Sequence, residues 1–324
     1  MKNKPSRVLM VRPVRFGFNR ETAATNLFQK NNKKLTSKQI QSNALKEFSA
    51  LVKLLIENEI ETEVIKDTAA PVTPDSVFPN NVISFHVIEN FSMQVPAELN
   101  FPNDMMIMKN AKVTVLYSMM AKNRRKERKK GILNKTKGYK IVFDLSANET
   151  KDVFLEGTGS IVFDYENRLA YACHSPRTSI KLLEMLCKQL DYSVVSFHAA
   201  DKNGNDIYHT NVMLCIGKGF AVVCEESVKN KEELFTLMKS LIDTDHRIIT
   251  IDYKQLKAFA GNMYQLFNKK GKSFIVMSEQ AYVSLHKKQI STLKKFGKII
   301  HTPLYTIEKY GGGSARCMIA DVRC

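Results

Sequence analysis

The feature that most limits the fold of this chain is a rhythm. Short β-rich runs come in pairs, and each pair is followed by a helical stretch and then a lone strand. Ser160 to Phe163 and Leu169 to Cys173 flank the turn Asp164–Tyr165–Glu166–Asn167–Arg168, and Asn211 to Ile216 and Phe220 to Cys224 flank Gly217–Lys218–Gly219. Apolar runs of this length on either side of turn-forming residues predict β-hairpins. Val194 to Phe197 and Arg247 to Ile251 are the lone strands, so hairpin, helix and strand recur about every 50 to 60 residues. Alternating strands and helices predict α/β layering. A hairpin in each unit predicts mixed sheets, unlike a doubly wound parallel fold. The units do not align by residue identity, so the repeat is one of structure.

The helices show in three-to-four spacing of apolar residues. Within Ser37 to Ile60, Ala44, Leu45, Phe48, Leu51, Val52 and Leu55 mark one buried face. Ser227 is a candidate cap for a helix carrying Leu234, Leu237, Met238 and Leu241. Ser278 is a candidate cap for another running through Ala281 and Leu285.

No Pro/Gly/Ser-rich linker or low-complexity tract interrupts the 324 residues, so residues 1–324 are expected to form a single domain. The early apolar run Val8 to Val11 is broken by Arg12 and Pro13. No stretch approaches the roughly 18 apolar residues of a spanning helix. A soluble, cytoplasmic protein without a membrane partner is expected. Six cysteines (Cys173, Cys187, Cys215, Cys224, Cys317, Cys324) show neither CxxC pairs nor zinc-type spacing; separately, no metal or organic cofactor is expected. The net charge of +17 draws on the run Lys122 to Lys130. No RNA- or DNA-binding motif accompanies it, which favours a solvated, Lys-rich face over a nucleic-acid groove.

Four places could carry chemistry. Cys317 follows the glycines of Gly311–Gly312–Gly313–Ser314–Ala315–Arg316, where backbone amides can approach a thiolate. The bland reading is a turn and then a buried strand, Cys317 to Val322. His209 in Tyr208–His209–Thr210–Asn211 offers a group that accepts and donates protons near neutral pH. Glu156 lies between an apolar run and Gly157–Thr158–Gly159, as a surface turn or as a buried carboxylate that orients a histidine. Asn80–Asn81 after Pro79 reads as a simple turn.

Together these segments resemble one family. Cys317 in GGGSARCM, His209 in YHTN, Glu156 in LEGTG and Arg177 in SPRT follow the order used by the guanidino-group-modifying superfamily of arginine deiminases, dimethylarginine hydrolases and amidinotransferases. The stretches Met10 to Asn19, Asp75 to Asn81, Asn123 to Arg128 and Ile307 to Met318 are similar to its citrulline-hydrolysing branch, the citrulline ureidases. The resemblance implies a pentein: five ββαβ units around a pseudo-fivefold axis, with the active site in the central channel. It also implies Cys317 as nucleophile and His209 as general acid/base, with Glu156 working beside the histidine. Arg124 and Arg177 would hold a substrate α-carboxylate.

Two positions depart from the deiminase pattern. Asn81 and Asn211 stand where deiminases carry aspartates. Two carboxylates suit a cationic guanidinium, whereas burying them unpaired against a neutral ureido group would cost several kcal/mol. Asparagine offers donor and acceptor without that cost. The expected activity is hydrolysis of citrulline to ornithine, ammonia and carbon dioxide by a protein that could be a homodimer. An arginine deiminase or dihydrolase of the same fold is the nearest rival. A non-catalytic basic pentein that binds RNA or a protein partner is the other.

Overall fold

The computed structural model describes residues 4–31, 34–94 and 105–322. Cys324 lies outside them.

Fifteen strands form five three-stranded sheets among the described residues. They are β1 (Arg7–Arg12), β2 (Glu61–Lys66), β3 (Ile83–Gln94), β4 (Met105–Leu116), β5 (Ile141–Asp144), β6 (Val162–Asp164), β7 (Leu169–His174), β8 (Ser193–His198), β9 (Leu214–Gly217), β10 (Phe220–Val223), β11 (Arg247–Thr250), β12 (Tyr264–Phe267), β13 (Ser273–Ser278), β14 (Lys298–Thr302) and β15 (Ala320–Asp321). In every sheet the middle strand pairs antiparallel on one side and parallel on the other. The sheet β6-β7-β8 shows it: Phe163 faces Ala170 in the antiparallel ladder, and Tyr171 faces Val195 in the parallel one. An antiparallel partner needs only a hairpin, whereas a parallel one needs a crossover, which helices supply.

The first unit is completed from the far end of the chain. β15 pairs with β1, Val8 opposite Asp321 and Leu9 opposite Ala320. The chain therefore closes into a ring of five ββαβ units, the pentein architecture. This closure fixes the segment just ahead of β15, which contains Cys317.

The helix Ser37–Glu57 buries Ala44, Phe48, Leu51 and Leu55 of the expected face together with Ile40, while Leu45 and Val52 are only partly buried, and Thr36 caps it in a capping box with Gln39. The fourth-unit helix spans Lys231–Asp243 and is capped by Asn230, whose side chain accepts from the amides of Glu232 and Glu233. Ser227 is not that cap. Its hydroxyl is turned onto the Cys224 carbonyl at 2.6 Å inside a preceding 3-10 turn. Ser278 does cap Glu279–Ser284.

Among the described residues no helix is long and apolar enough to cross a membrane.

Candidate active site

Each unit's first strand is entered by a tight turn, and the five turns meet at the centre of the ring. They are Pro79–Asn81 before β3, Gly157–Ser160 before β6, Thr210–Val212 before β9, the turn at 258–261 leading through Asn262 to β12, and Ala315–Met318 before β15. Each turn touches the next. Gly157, at φ +50°, lies against the backbone of Asn80 and Asn81 with no room for a Cβ. Asn211 Nδ2 donates to the Thr158 carbonyl at 3.1 Å, and Asn262 Nδ2 donates to the Asn211 carbonyl at 2.8 Å. Asn262 in turn lies 3.3 Å from Cys317 Sγ, and Gly313 packs on Phe78 to complete the circle.

His209 enters this centre from the residue just before its turn. Its Nε2 lies 2.9 Å from Glu156 Oε2. The same oxygen is 3.5 Å from Arg177 Nη1 and 3.6 Å from Arg124 Nη1, while Glu156 Oε1 accepts from the Met120 amide at 3.1 Å. Burial alone would raise the Glu156 carboxyl. Arg177, His209 and Arg124 outweigh it and hold the group well below the usual carboxylate range. Burial pushes His209 down to about 4, against the pull of Glu156, so its imidazole is neutral near pH 7. An ionised Glu156 fixes the ring proton on Nε2 and leaves Nδ1 as an acceptor. Nδ1 faces Gly159, where a Cβ would come within 2.6 Å. Asn81 Oδ1 converges on the same point and is buried without a hydrogen-bond partner.

The thiol of Cys317 is buried, which raises its pKa; the Ser314 hydrogen bond and the Asn262 amide oppose that. Asn211 Nδ2 is 3.5 Å from the same sulfur. Asn211 therefore faces the Cys317 sulfur, not open space. Asn81 is the amide with a spare acceptor.

A second group of residues forms the other end of the cleft. Arg124 is almost fully buried and gripped by Glu127, through Nε at 3.0 Å and Nη2 at 2.9 Å. Burial lifts the Glu127 carboxyl to about 7 despite that pairing. Asp75 Oδ2 accepts from Asn19 at 2.7 Å and Thr22 at 3.2 Å, and its Oδ1 is buried without a partner. The basic run is divided: Lys122, Lys126 and Lys130 are exposed, as a solvated face requires, while Arg124 is buried. Besides Arg124, Lys129 pairs with Asp67 at 2.7 Å and Arg128 with Glu149 at 2.7 Å.

Asn26, Asp75, Asn81, Arg124, Arg177, Tyr208, His209 and Cys317 line one cleft of only about 10 Å³. The segment from Asn19 to Lys30 lies over it. Asn26 donates to the Gly311 carbonyl at 3.3 Å, Gln29 to Tyr310 at 3.2 Å, and Arg177 Nη2 donates to the Thr22 carbonyl at 2.9 Å. Tyr208 also walls a larger neighbouring cavity of about 690 Å³, away from Cys317.

All seven residues singled out in the sequence therefore converge. Three of the four resembling stretches also meet directly: Asn19 bonds both Asp75 and Asn123. Two residues were missed. Asp75 lies inside a resembling stretch that assigns it no role, and Asn262 lies outside all of these stretches. Asn262 carried a signal, since Gly261–Asn262–Met263 parallels Asn80–Asn81–Val82 and Thr210–Asn211–Val212 ahead of β-rich runs.

The family model for N,N dimethylarginine dimethylhydrolase of eukaryotic type matches residues 12–96 and 83–324. The chain belongs to this family. No curated protein matches it significantly. Among solved structures similar to this dimethylarginine dimethylhydrolase family member, the N-terminal domain of ArgZ bound to product is 19% identical. ArgZ is an arginine dihydrolase from the ornithine–ammonia cycle in Cyanobacteria; the match covers 99% of this chain and 98% of that domain at a TM-score of 0.72. Whole ArgZ in its apo form is 20% identical with a TM-score of 0.70, and the chain spans only 40% of its length. A dimethylarginine dimethylaminohydrolase captured as an adduct with S-methyl-L-thiocitrulline is 14% identical at a TM-score of 0.62, over 98% of this chain and 100% of that one. These likenesses establish the shared pentein fold.

Proposed function

We propose that this family member is a cysteine hydrolase of the ureido group of citrulline, giving ornithine, ammonia and carbon dioxide. The observation that carries the reading is the composition of the reactive end. Asn211 and Asn262 touch the Cys317 sulfur and Asn81 lines the same cleft, whereas the carboxylates nearby are Glu156, which two arginines already pair, and Asp75, which lies beside Arg124. A guanidinium there would be a buried cation with no counter-charge of its own.

Neutral His209 takes the proton of the Cys317 thiol, and the resulting thiolate attacks the ureido carbon. His209 then delivers the proton to the departing nitrogen, so a thioester-type intermediate forms as one C–N bond breaks. Water, activated by the again neutral imidazole, cleaves the carbon–sulfur bond, and the resulting carbamate breaks down to amine and carbon dioxide. Asn81 Oδ1, buried without a partner, accepts a ureido N–H. Amides of the glycine loop steady the oxyanion.

At the other end, the charges suit an α-amino acid. Asp75 offers an unpartnered oxygen to the α-ammonium, and Arg177 with Arg124 faces the α-carboxylate. The cleft as it stands holds less than an amino acid, and Asn26 of the overlying segment is part of its wall.

A second reading, hydrolysis of arginine, is favoured by the fold shared with an arginine dihydrolase. Ammonia and ornithine release from citrulline, arginine, agmatine and methylarginines, followed by product mass spectrometry, separates the two. Turnover of citrulline supports the first reading, and turnover of arginine alone replaces it. A basic RNA-binding role without catalysis would instead show as steeply salt-dependent RNA binding with no turnover.

A further inference from the structure

Of the five turns that meet at the centre, four present a comparable residue just ahead of their strand: Asn81, Asn211, Asn262 and Cys317. The nucleophile thus occupies, in the first unit, the place that asparagine holds in three others. Two of those asparagines converge on its sulfur. Asn262 Nδ2 is 3.3 Å from Cys317 Sγ and Asn211 Nδ2 is 3.5 Å away.

The orientation of each amide is fixed by its other bonds. Asn262 Oδ1 accepts from the Arg316 amide at 3.1 Å, and its Nδ2 donates to the Asn211 carbonyl at 2.8 Å. Exchanging the two atoms would set oxygen against oxygen, so Nδ2 is the amide atom nearer the sulfur, with Oδ1 at 3.6 Å; for Asn211 the oxygen is 3.8 Å away. Asn211 Nδ2 is likewise committed to the Thr158 carbonyl. Gly261 holds Asn262 in place by lying against the Val212 carbonyl, where a Cβ would not fit.

We propose that Asn262 is a further catalytic residue, whose side-chain N–H forms with that of Asn211 a two-donor cradle for the Cys317 thiolate. The inference rests on Cys317 being the nucleophile of the proposed hydrolase. It also answers a difficulty of that reading. A cationic guanidinium would itself favour an ionised sulfur beside it, whereas a neutral ureido group brings no charge. The protein must then stabilise the thiolate alone, and oriented amide dipoles in a water-poor site do so without burying another charge. Where burial acts alone, as on Cys187, it pushes the thiol up to about 12.

The test is thiolate absorbance near 240 nm against pH, without substrate, in the full chain, using Cys317→Ser as the blank. Asn262→Ala should raise the Cys317 midpoint by about one to two pH units, the size expected of a lost charge-assisted hydrogen bond. Asn262→Asp keeps the shape and the acceptor for Arg316 but turns an oxygen to the sulfur, and should raise it further. A merely structural asparagine would predict that folded Asn262→Asp titrates as wild type, and that result overturns the cradle. If both variants fail to fold, the wild type decides: a Cys317 midpoint near 12, like the other buried cysteines, also overturns it. Citrulline turnover is scored separately. Its absence in the wild type would strike the proposed substrate while leaving the titration result to stand.

Discussion

His209 Nε2 lies 2.9 Å from Glu156 Oε2, and both side chains are sealed from solvent. The pair sets which imidazole nitrogen can accept a proton. Glu156→Gln keeps the shape but removes the charge that fixes the tautomer. It should lower kcat by roughly a hundredfold or more, within the range that general acid/base catalysis contributes. Steady-state rates checked alongside circular dichroism test this. A folded Glu156→Gln with wild-type kcat would remove Glu156 from the mechanism.

Cys317→Ser should fold and lose at least about a thousandfold in rate, because an alkoxide is far less available than a thiolate. Mass spectrometry after limited alkylation should find Cys317 modified ahead of the other cysteines. If Cys317→Ser turned over normally while another cysteine variant did not, the nucleophile would be misassigned.

The ring closure explains why the sequence was readable in its elements and not in its assembly. Hairpins such as the one through Gly217–Lys218–Gly219 are local, and turn residues announce them. The pairing of β15 with β1 joins residues some three hundred positions apart, so no local pattern reports it. Resemblance supplied the number five. For the site, Cys317, His209 and Glu156 were marked by glycine-rich or apolar neighbours. Asn262 had neither, and its part follows only from the turn-to-turn contacts. In the basic run Lys122, Lys126 and Lys130 are exposed as expected, but Arg124 looks like them in sequence, and its partner Asp75 lies distant along the chain.

Arg177 and Arg124 should separate by what else they hold. Arg177→Ala is expected to weaken citrulline more than a decarboxylated analogue by about 1.5–3 kcal/mol, the value of a charge-assisted hydrogen bond. Arg124→Ala should do the same and also destabilise the fold by about 3–5 kcal/mol, since it strands the buried Glu127. Ratios of kcat/KM on the two ligands, with urea unfolding of each variant, provide the check. Equal losses on both ligands would remove the clamp.

Glu308 gives a stability signature. It is buried, accepts from the Ser314 hydroxyl, and burial lifts its carboxyl to about 7. The folded state therefore holds the proton more tightly than the unfolded chain, and stability is lost as pH rises from about 4.5 to 7. Glu308→Gln keeps the acceptor for Ser314 and removes the titration. It should be more stable than wild type by on the order of 3 kcal/mol at pH 8, with little difference at pH 4.5. Urea unfolding at the two values decides; an equal difference at both would show that Glu308 does not titrate in this window.

The central claim is that neutral amides around Cys317 select a ureido group over a guanidinium. Asn81→Asp would put a carboxylate where Asn81 Oδ1 now stands unpartnered, and should shift preference toward arginine even if it makes a poor arginine hydrolase, since Cys317 and His209 must stay tuned. The most direct measurement is the ratio of kcat/KM for citrulline to that for arginine in the wild-type protein. A ratio above about a hundred, with ornithine and carbon dioxide as products, is the expected result, since an uncompensated buried cation costs several kcal/mol. A ratio below one would contradict it.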